Sequence, residues 1–331
     1  MKPVKSLSFI MTERCTASCA VCCNACSPRK TRMLDDETIR HYMREAKETL
    51  PELVSFSFTG GEPFIDPDRL YGLIRYAYEE LGITSSVVSN GYWGIHYEKS
   101  SEMISRMKQA GLREVRLSAD HFHQEYVPAE AVKGAIRILA EQQLKSEVTI
   151  MVIKGKEGFT ETIRALRPEI YMTECVCYPL LLTEKVRKNP AMPYTDEDII
   201  GQYRPENCFC SHLTEGALHF CYDGYVYNCC SQDSFDIPQM RIGKIGEDSI
   251  KDMLYFKHHD PLLEIIYRKG VAWLAGRASE MGFPVKEIYS TTCELCHDLT
   301  QNQAFMEAVM PAVREEVKEL RAKSLLSNLF Q

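Results

Sequence analysis

The sequence lacks the features of membrane, secreted and nucleic-acid-binding proteins. No apolar run approaches the roughly 18–20 residues that cross a bilayer. The N-terminus has no apolar segment followed by a small-residue cleavage site, so we expect a cytoplasmic protein with no membrane partner. Basic residues are outnumbered, 39 against 46 acidic ones, and the net charge of −7 argues against nucleic acid as a partner. The composition, 45% hydrophobic and 26% charged, excludes a mostly disordered chain.

Cysteine, by contrast, is abundant, with 14 in 331 residues. This density in a chain without a secretion signal does not favour a disulfide framework. The cysteines lie at 15–26, at 175–230 and at 293 and 296, whereas residues 27–174 contain none. Clusters on both sides of a long cysteine-free segment predict two metal sites.

Strand and helix patterns alternate through the first half of the chain. The predicted strands span residues 7–11, 54–59, 84–89, 114–118, 147–153 and 169–177. Helices are predicted between them, including one over about 35–50 and one over 128–142, and some end before a glycine such as Gly82 or Gly111. This alternation predicts about six β/α units of an α/β fold, with a parallel sheet that is open or curled into a partial barrel. Functional residues of such folds lie at the C-terminal ends of the strands.

The alternation stops after about residue 185, which predicts a domain boundary near residue 190. The second domain, residues 191–331, is expected to contain a β-hairpin within 208–232, with strands over 217–221 and 225–229 and a turn at Tyr222-Asp223-Gly224. A helical stretch is predicted over about 247–282 and an amphipathic helix over 303–326.

Two motifs follow the first two predicted strands. Cys15-x3-Cys19-x2-Cys22 offers three thiolates on one loop, which can ligate three irons of a [4Fe–4S] cluster and leave the fourth iron open. Structural zinc is the alternative, although it needs a fourth ligand and usually pairs of CxxC units. The second strand ends at Thr59-Gly60-Gly61-Glu62-Pro63, where the glycines permit close backbone approach and Glu62 can accept a hydrogen bond from an ammonium group.

Together these motifs resemble the radical S-adenosylmethionine (radical SAM) superfamily over about residues 5–180. The resemblance implies that residues 1–190 form a partial (β/α)6 barrel, in which a [4Fe–4S] cluster on Cys15, Cys19 and Cys22 binds S-adenosylmethionine. Reductive cleavage of this cofactor would give a 5′-deoxyadenosyl radical that abstracts a hydrogen atom. The implied cofactor-binding residues are Gly60, Gly61, Glu62, Ser89, Asn90, Ser118 and Asp120. Lys154, after the fifth strand, is a further candidate for the cofactor carboxylate, although a solvated lysine is the simpler interpretation.

The C-terminal cysteines resemble the shortened auxiliary domain, called twitch, of peptide-modifying radical SAM enzymes. The resemblance implies one auxiliary [4Fe–4S] cluster, with ligands drawn from Cys208 or Cys210 and from Cys229, Cys293 and Cys296. Both candidate first ligands fit the gap to Gly224, so the choice between Cys208 and Cys210 stays open. A zinc ribbon is the alternative for this site.

Most of the chain is also similar to the epipeptide epimerases of bacilli, which convert L-residues of a ribosomally made peptide to D-residues. The similarity includes the first cysteine loop, the run Ser89-Asn90-Gly91-Tyr92-Trp93-Gly94, the Asp120-x-x-His123 segment and Cys229-Cys230. It implies that the radical takes the Cα hydrogen and that the thiol of Cys230 returns hydrogen from the opposite face. Neighbouring side chains on a strand point to opposite faces, so Cys229 could face the auxiliary cluster and Cys230 the barrel mouth.

One departure from the epimerases concerns an acidic residue. Their pattern has an aspartate thirteen residues before the donor, where this chain has Ala217, and the nearest acid is Glu215. Glu215 is therefore the candidate for that catalytic role, unless the enzyme carries out different chemistry.

The resemblance implies two partners, a ribosomally made precursor peptide and a reductant such as flavodoxin or ferredoxin. Because only fourteen residues precede Cys15, the peptide is expected to dock on the barrel, on the auxiliary domain or on another protein. Two alternatives to the epimerase remain. One is a radical SAM enzyme that forms thioether or carbon–carbon cross-links in a peptide, and the other is a non-enzymatic zinc protein.

Overall fold

A parallel sheet forms the centre of the molecule in the computed structural model, which describes residues 3–155, 158–210, 216–229, 235 and 237–329. Its first six strands are β1 Ser6–Ile10, β2 Ser55–Thr59, β3 Thr84–Ser89, β4 Leu112–Ser118, β5 Lys145–Val152 and β6 Glu174–Pro179. They lie side by side in chain order, and each pairs in parallel with the next. The α/β fold with a parallel sheet that the sequence predicts is confirmed.

Helices connect these strands and cover one face of the sheet. They are α1 Asp36–Thr49, α2 Pro67–Glu79, α3 Tyr97–Gln109, α4 Ala129–Glu141 and α5 Gly158–Ala165. Side-chain caps set two of their starts, because Asp35 accepts a hydrogen bond from the amide of Thr38 at 2.8 Å and Asp66 accepts one from the amide of Arg69 at 3.0 Å.

Strand alternation separates the core from the barrel interior. Phe9, Phe56, Phe58 and Phe220 are fully buried, and the ring centroids of Phe9 and Phe58 are 6.0 Å apart. Residues that alternate with these, such as Ser8 beside Phe9, face the opposite side and line an interior cavity.

The sheet continues beyond residue 190. Strand β7, Ala217–Cys221, pairs in parallel with β1, and β8, Tyr225–Tyr227, and β9, Arg241–Lys244, follow it antiparallel. The full order is therefore β6-β5-β4-β3-β2-β1-β7-β8-β9, so the hairpin after residue 190 extends the sheet of the first half. The predicted hairpin is present, but β8 ends at Tyr227. Cys229 and Cys230 come after the end of this strand in the sequence, so strand alternation no longer supports the prediction that their side chains face opposite sides. Cys230 itself lies outside the described residues.

Helices make up most of the described residues after β9. They are α6 Ile250–His259, α7 Pro261–Lys269, α8 Val271–Glu280, α9 Thr292–Gln301 and α10 Gln303–Leu329. The helical stretch predicted over 247–282 is interrupted at Asp260-Pro261 and at Gly270, which has φ +77°. Helix α9 is absent from the sequence prediction, although it carries Cys293 and Cys296. Within the described ranges, none of the helices combines the length and apolar character needed to cross a membrane.

The sixth strand begins five residues later than predicted. Residues Glu169–Met172 form a helical turn, and β6 starts at Glu174. The Glu169 carboxylate is buried and lies 2.5 Å from the guanidinium of Arg137 on α4, which holds the turn against that helix.

Candidate active site

A cavity of about 360 Å³ opens at the C-terminal ends of the strands. It lies where a parallel α/β fold places its functional residues. The sequence-predicted site residues that border it are Cys15, Cys19, Cys22, Gly60, Gly61, Ser89, Asn90, Ser118 and Asp120. Residues from the C-terminal ends of four strands and the loops that follow them therefore meet at one cavity.

The cysteine loop is held at its base by main-chain and ionic contacts. The amide of Cys15 donates to the carbonyl of Ser27 at 3.2 Å, and the amide of Ser27 donates to the carbonyl of Glu13 at 3.2 Å. The buried Glu13 carboxylate also accepts hydrogen bonds from Nε and Nη2 of Arg32, at 3.0 and 2.9 Å. These contacts close residues 15–26 into a loop whose two ends are fixed.

The three thiols predicted to bind the catalytic cluster border the same cavity. Among the described residues, no three His, Cys, Asp or Glu side chains are arranged to hold one metal ion. Cys15, Cys19 and Cys22 all border the cavity, as expected where each thiolate binds a different iron. Burial raises the pKa of Cys15 to about 11, and a hydrogen bond with Cys26 lowers the pKa of Cys22 to about 6. Iron binding deprotonates a coordinating thiol regardless of such differences.

The glycine pair after β2 is required by close packing against the cysteine loop. A Cβ atom on Gly61 would lie 2.0 Å from the carbonyl oxygen of Arg14, and one on Gly60 would lie 2.6 Å from that of Thr12. The amide of Gly61 donates to the Thr12 carbonyl at 2.6 Å, and the amide of Glu62 donates to the Arg14 carbonyl at 2.9 Å. The glycines therefore fix the backbone that leads directly into Cys15.

The Glu62 side chain is fully buried and does not border the cavity. Its carboxylate accepts hydrogen bonds from the amide of Phe64 at 3.0 Å, the hydroxyl of Ser89 at 2.9 Å and the amide of Asn90 at 2.8 Å. Burial raises the pKa of Glu62 to about 7. The carboxylate thus ties the loop after β2 to the loop after β3, and contact of Glu62 with a cofactor stays a prediction.

Asn90 connects the third strand to the cysteine loop. Its side-chain amide donates to the hydroxyl of Thr16 at 2.9 Å and lies 3.7 Å from the sulfur of Cys15. Ser89, by contrast, directs its hydroxyl to Glu62 and accepts a hydrogen bond from the indole of Trp93 at 3.0 Å. The geometry therefore presents Asn90 to the cavity and uses the Ser89 hydroxyl to support the loop.

Asp120 and His123 form a buried pair after β4. The Asp120 carboxylate caps a short helical turn by accepting the amides of Phe122 and His123, both at 3.1 Å. It also accepts the amide of Met151 at 3.3 Å and Nδ1 of His123 at 2.8 Å. Burial opposes the charge of Asp120, but His123 outweighs it and keeps the pKa of Asp120 below its usual range. His123 borders the cavity, as anticipated for a residue that follows a strand.

The structure does not bring Lys154 to the cavity. It is exposed, its amide donates to the carbonyl of Asp198 at 2.8 Å, and it does not line the cavity wall. A solvated lysine is the simplest interpretation, so its role in binding the cofactor remains an untested prediction.

The candidate auxiliary ligands lie among the C-terminal helices. Cys208 and Cys229 are buried, whereas Cys210, Cys293 and Cys296 are half-buried. Cys208 makes a hydrogen bond with Thr292, the neighbour of Cys293. The amide side chain of Asn228, 1% exposed and adjacent to Cys229, finds no hydrogen-bond partner among the described residues. The ligand set stays a prediction, and Glu215 lies outside the described residues.

Tyr178 on β6, His219 on β7 and Phe235 are among the cavity residues that the sequence analysis did not identify. The sequence pattern could have identified His219, because a polar residue between the apolar Leu218 and Phe220 of a strand is expected on the opposite face of the sheet. No sequence pattern identifies Phe235 or Tyr178 as cavity residues, since their positions depend on how the hairpin and the last barrel strand pack.

Comparison with known proteins agrees with this geometry. Residues 9–165 match the model of the radical SAM superfamily. These residues therefore form a radical SAM domain, and the cofactors of that superfamily are S-adenosylmethionine and a [4Fe–4S] cluster.

One relative extends the similarity beyond the domain. The chain is 24% identical over 305 residues to the "Putative peptide biosynthesis protein YydG" of Bacillus subtilis (strain 168), which covers 89% of this chain and 92% of that protein.

Solved structures share the fold. SuiB of Streptococcus suis, bound to S-adenosylmethionine, is similar with a TM-score of 0.53 and 14% identity over 80% of this chain and 68% of SuiB. The protein anSMEcpe, bound to S-adenosylmethionine and the Cp18Cys peptide, matches with a TM-score of 0.52 and 16% identity over 96% of this chain and 100% of its own.

Proposed function

We propose that this protein is a radical SAM peptide epimerase that converts L-residues of a ribosomally made precursor peptide to D-residues. The observation that carries the proposal is the cavity that joins the cysteine loop to the C-terminal hairpin. Cys15, Cys19 and Cys22 border it from one side, and His219 and Phe235 border it from the hairpin side. The same cavity can therefore receive a radical-generating cofactor and a group supplied by the hairpin.

The residues around the cavity fit the proposed cofactors. Three thiols suit a [4Fe–4S] cluster with one open iron, and the glycine pair and Asn90 hold the backbone that surrounds it. When bound, the cluster and S-adenosylmethionine supply the 5′-deoxyadenosyl radical that removes a hydrogen atom from the peptide. Asn90, Ser118 and His123 offer hydrogen-bonding groups to the cofactor along the wall of the cavity. A reductant such as flavodoxin or ferredoxin would deliver the electron.

Cys230 is the proposed hydrogen donor. Two contacts support this role, because the ring centroids of Tyr227 and Phe235 lie 5.0 Å apart and the Tyr227 hydroxyl donates to the Phe235 carbonyl at 3.3 Å. Tyr227 and Phe235, which flank Cys230 in the sequence, therefore lie together, and Phe235 borders the cavity. In the proposed step, the S–H bond of Cys230 breaks and a C–H bond forms at the peptide Cα on the face opposite abstraction. The thiyl radical left behind must be reduced, for which an auxiliary cluster on the C-terminal cysteines is the proposed route.

Substitution of the proposed donor Cys230 separates hydrogen abstraction from hydrogen return. Cys230→Ala should still cleave S-adenosylmethionine and abstract hydrogen, while formation of D-residues stops. Chiral amino-acid analysis of the peptide measures this outcome. Cys221→Ala removes a buried thiol from the same hairpin and serves as the control. Undiminished D-residue yield in Cys230→Ala would remove this cysteine from the mechanism.

Cross-linking is the second candidate, and one observation favours it. The position thirteen residues before Cys230 holds Ala217, the first residue of β7, where the epimerases carry an aspartate. Glu215 is the acid nearest in sequence and would have to replace that aspartate. A product two mass units lighter than the substrate, with no D-residues, would favour thioether or carbon–carbon bond formation.

A further inference from the structure

We propose that the precursor peptide docks as an added strand on the free edge of β6. The inference rests on the proposed function, which supplies an extended peptide as the substrate. Strand β6 is the last strand on one side of the sheet, and its only strand neighbour in the described chain is β5. Addition of a strand to an exposed sheet edge is a common mode of peptide recognition, in which main-chain hydrogen bonds supply the affinity.

The hydrogen-bond pattern shows which backbone groups face outward. The amide of Leu180 donates to the carbonyl of Val152 on β5 at 2.9 Å. Because the direction of these groups alternates along a strand, Cys175 and Cys177 direct their amides and carbonyls away from β5. Both residues are exposed, and neither makes an outward main-chain hydrogen bond within the described part of the chain. Pro179, the next residue of the same parity, has no amide hydrogen and fits a position without a partner.

The edge leads directly into the active-site cavity. Tyr178 on β6 lines the cavity, yet 52% of its surface is exposed. A strand rises about 3.3 Å per residue, so a peptide paired with Cys177 would reach the cavity mouth within about one further residue. Docking at this edge would therefore bring the backbone of the peptide close to the site of hydrogen abstraction.

Exposed apolar side chains border both ends of this edge. Tyr171 and Met172 are 69% and 54% exposed in the turn before β6, and Tyr178 lies near the opposite end. Alternate side chains of an added strand need such contacts for specificity. Natural sheets usually protect an edge with charged residues, proline or a bulge. The edge of β6 carries such protection only at its two ends, at the exposed Glu174 and at Pro179, whereas residues 175–178 include no charged residue and the pairing with β5 has no register shift.

The length of the edge favours a peptide over a second copy of the chain. Between Glu174 and Pro179, only Cys175 and Cys177 present an outward amide hydrogen. This short row suits a few hydrogen bonds to one extended segment. A stable protein–protein interface generally buries at least about 1,200 Å², which this strand edge alone does not offer.

Proline substitution tests the outward amide. Cys177→Pro removes one outward N–H, whereas Cys177→Val removes the same thiol and keeps the N–H. The probe is the precursor peptide that serves as substrate in the epimerisation assay, synthesised with a fluorophore and titrated by fluorescence anisotropy. We expect Cys177→Val to bind like the unmodified protein and Cys177→Pro to bind about fivefold more weakly, since one hydrogen bond contributes roughly 1 kcal/mol. The dissociation constant for S-adenosylmethionine and the iron content should be the same in both variants.

N-methylated peptides provide a second measurement that needs no variant protein. Methylation of single peptide amides should weaken binding to the unmodified protein at alternate residues, with a period of two. Equal peptide affinity of Cys177→Pro and Cys177→Val, or a methylation profile without this period, would overturn the docking proposal. A dimer lost only in Cys177→Pro would overturn it in favour of a second copy. Failure of the unmodified protein to bind the peptide would overturn the proposed function itself.

Discussion

The carboxylate of Asp120 accepts a hydrogen bond from Nδ1 of His123 at 2.8 Å, so only Nε2 of that ring remains for a ligand in the cavity. Burial disfavours the imidazolium, but the charge of Asp120 outweighs burial and raises the pKa of His123. Asp120 is 1% exposed and is also held by three backbone amides. Asp120 thus positions His123 and favours its cationic form.

Asp120→Asn should therefore weaken S-adenosylmethionine binding although Asp120 is almost fully buried. The asparagine oxygen can still cap the helical turn, but the charge that orients His123 is lost. Hydrogen bonds to charged groups contribute about 1.5–3 kcal/mol, which predicts a dissociation constant raised about tenfold or more. Equilibrium binding to the reconstituted protein measures it. Asp66→Asn, which alters an exposed helix cap far along the chain, is the control, and equal affinities of the two variants would contradict the prediction.

Gly61→Ala should prevent assembly of the catalytic cluster. The added Cβ would lie 2.0 Å from the backbone oxygen of Arg14, so the segment leading into Cys15 must move. We expect the iron content after anaerobic reconstitution to fall by about four atoms per chain, the content of one [4Fe–4S] cluster. Gly276→Ala is the matched control, because a Cβ there meets no atom within 4 Å. Full iron content in Gly61→Ala would show that the loop tolerates the shift.

The triple substitution of Cys15, Cys19 and Cys22 by alanine tests the number of clusters. Two clusters correspond to about eight irons per chain, so about four should remain, bound by the C-terminal cysteines. The variant should also lose S-adenosylmethionine cleavage. Iron and acid-labile sulfide analysis provides the count. A variant that still formed 5′-deoxyadenosine would refute the assignment of the catalytic ligands, and one that retained no iron would refute the auxiliary cluster.

Glu169→Gln should destabilise the turn that leads into β6, and the effect should depend on pH. Burial opposes ionisation of Glu169, but Arg137 and Lys133 outweigh it and lower the pKa of its carboxyl group. A lowered pKa stabilises the folded state above the unfolded pKa of about 4.3, and this contribution is lost as pH falls through the folded value. We expect a melting temperature about 2–4 °C lower at pH 7, with the difference shrinking below pH 4. Glu174→Gln, at an exposed position, should show no such trend.

Much of the barrel could be predicted from the sequence because local signals, such as helix caps and apolar stripes, define its helices and strands. Strand β3 coincides with its prediction, and α1 and α4 differ from theirs by about one residue at each end. Asp35 as a cap and the apolar stripe of Ile39, Tyr42, Met43 and Ala46 determine α1 without reference to the rest of the fold. The cysteine loop and the glycine pair were likewise visible as spacings.

Other features depend on tertiary contacts, which the sequence pattern alone does not reveal. The helical turn before β6 forms because Glu169 pairs with Arg137, 32 residues away. Parallel pairing of β7 with β1 joins residues more than 200 positions apart, which brings His219 to the cavity. The burial of the Glu62 carboxylate also depends on tertiary contacts, because it becomes apparent only when the loops after β2 and β3 meet.

The mass and chirality of the product formed in D2O test the proposed epimerisation most directly. A thiol exchanges its proton with solvent, so a returned hydrogen atom should carry deuterium. The precursor peptide, incubated with the reconstituted enzyme, S-adenosylmethionine and a reductant, should gain about one mass unit and one D-residue per modified site. A product without D-residues and about two mass units lighter than the substrate would contradict epimerisation.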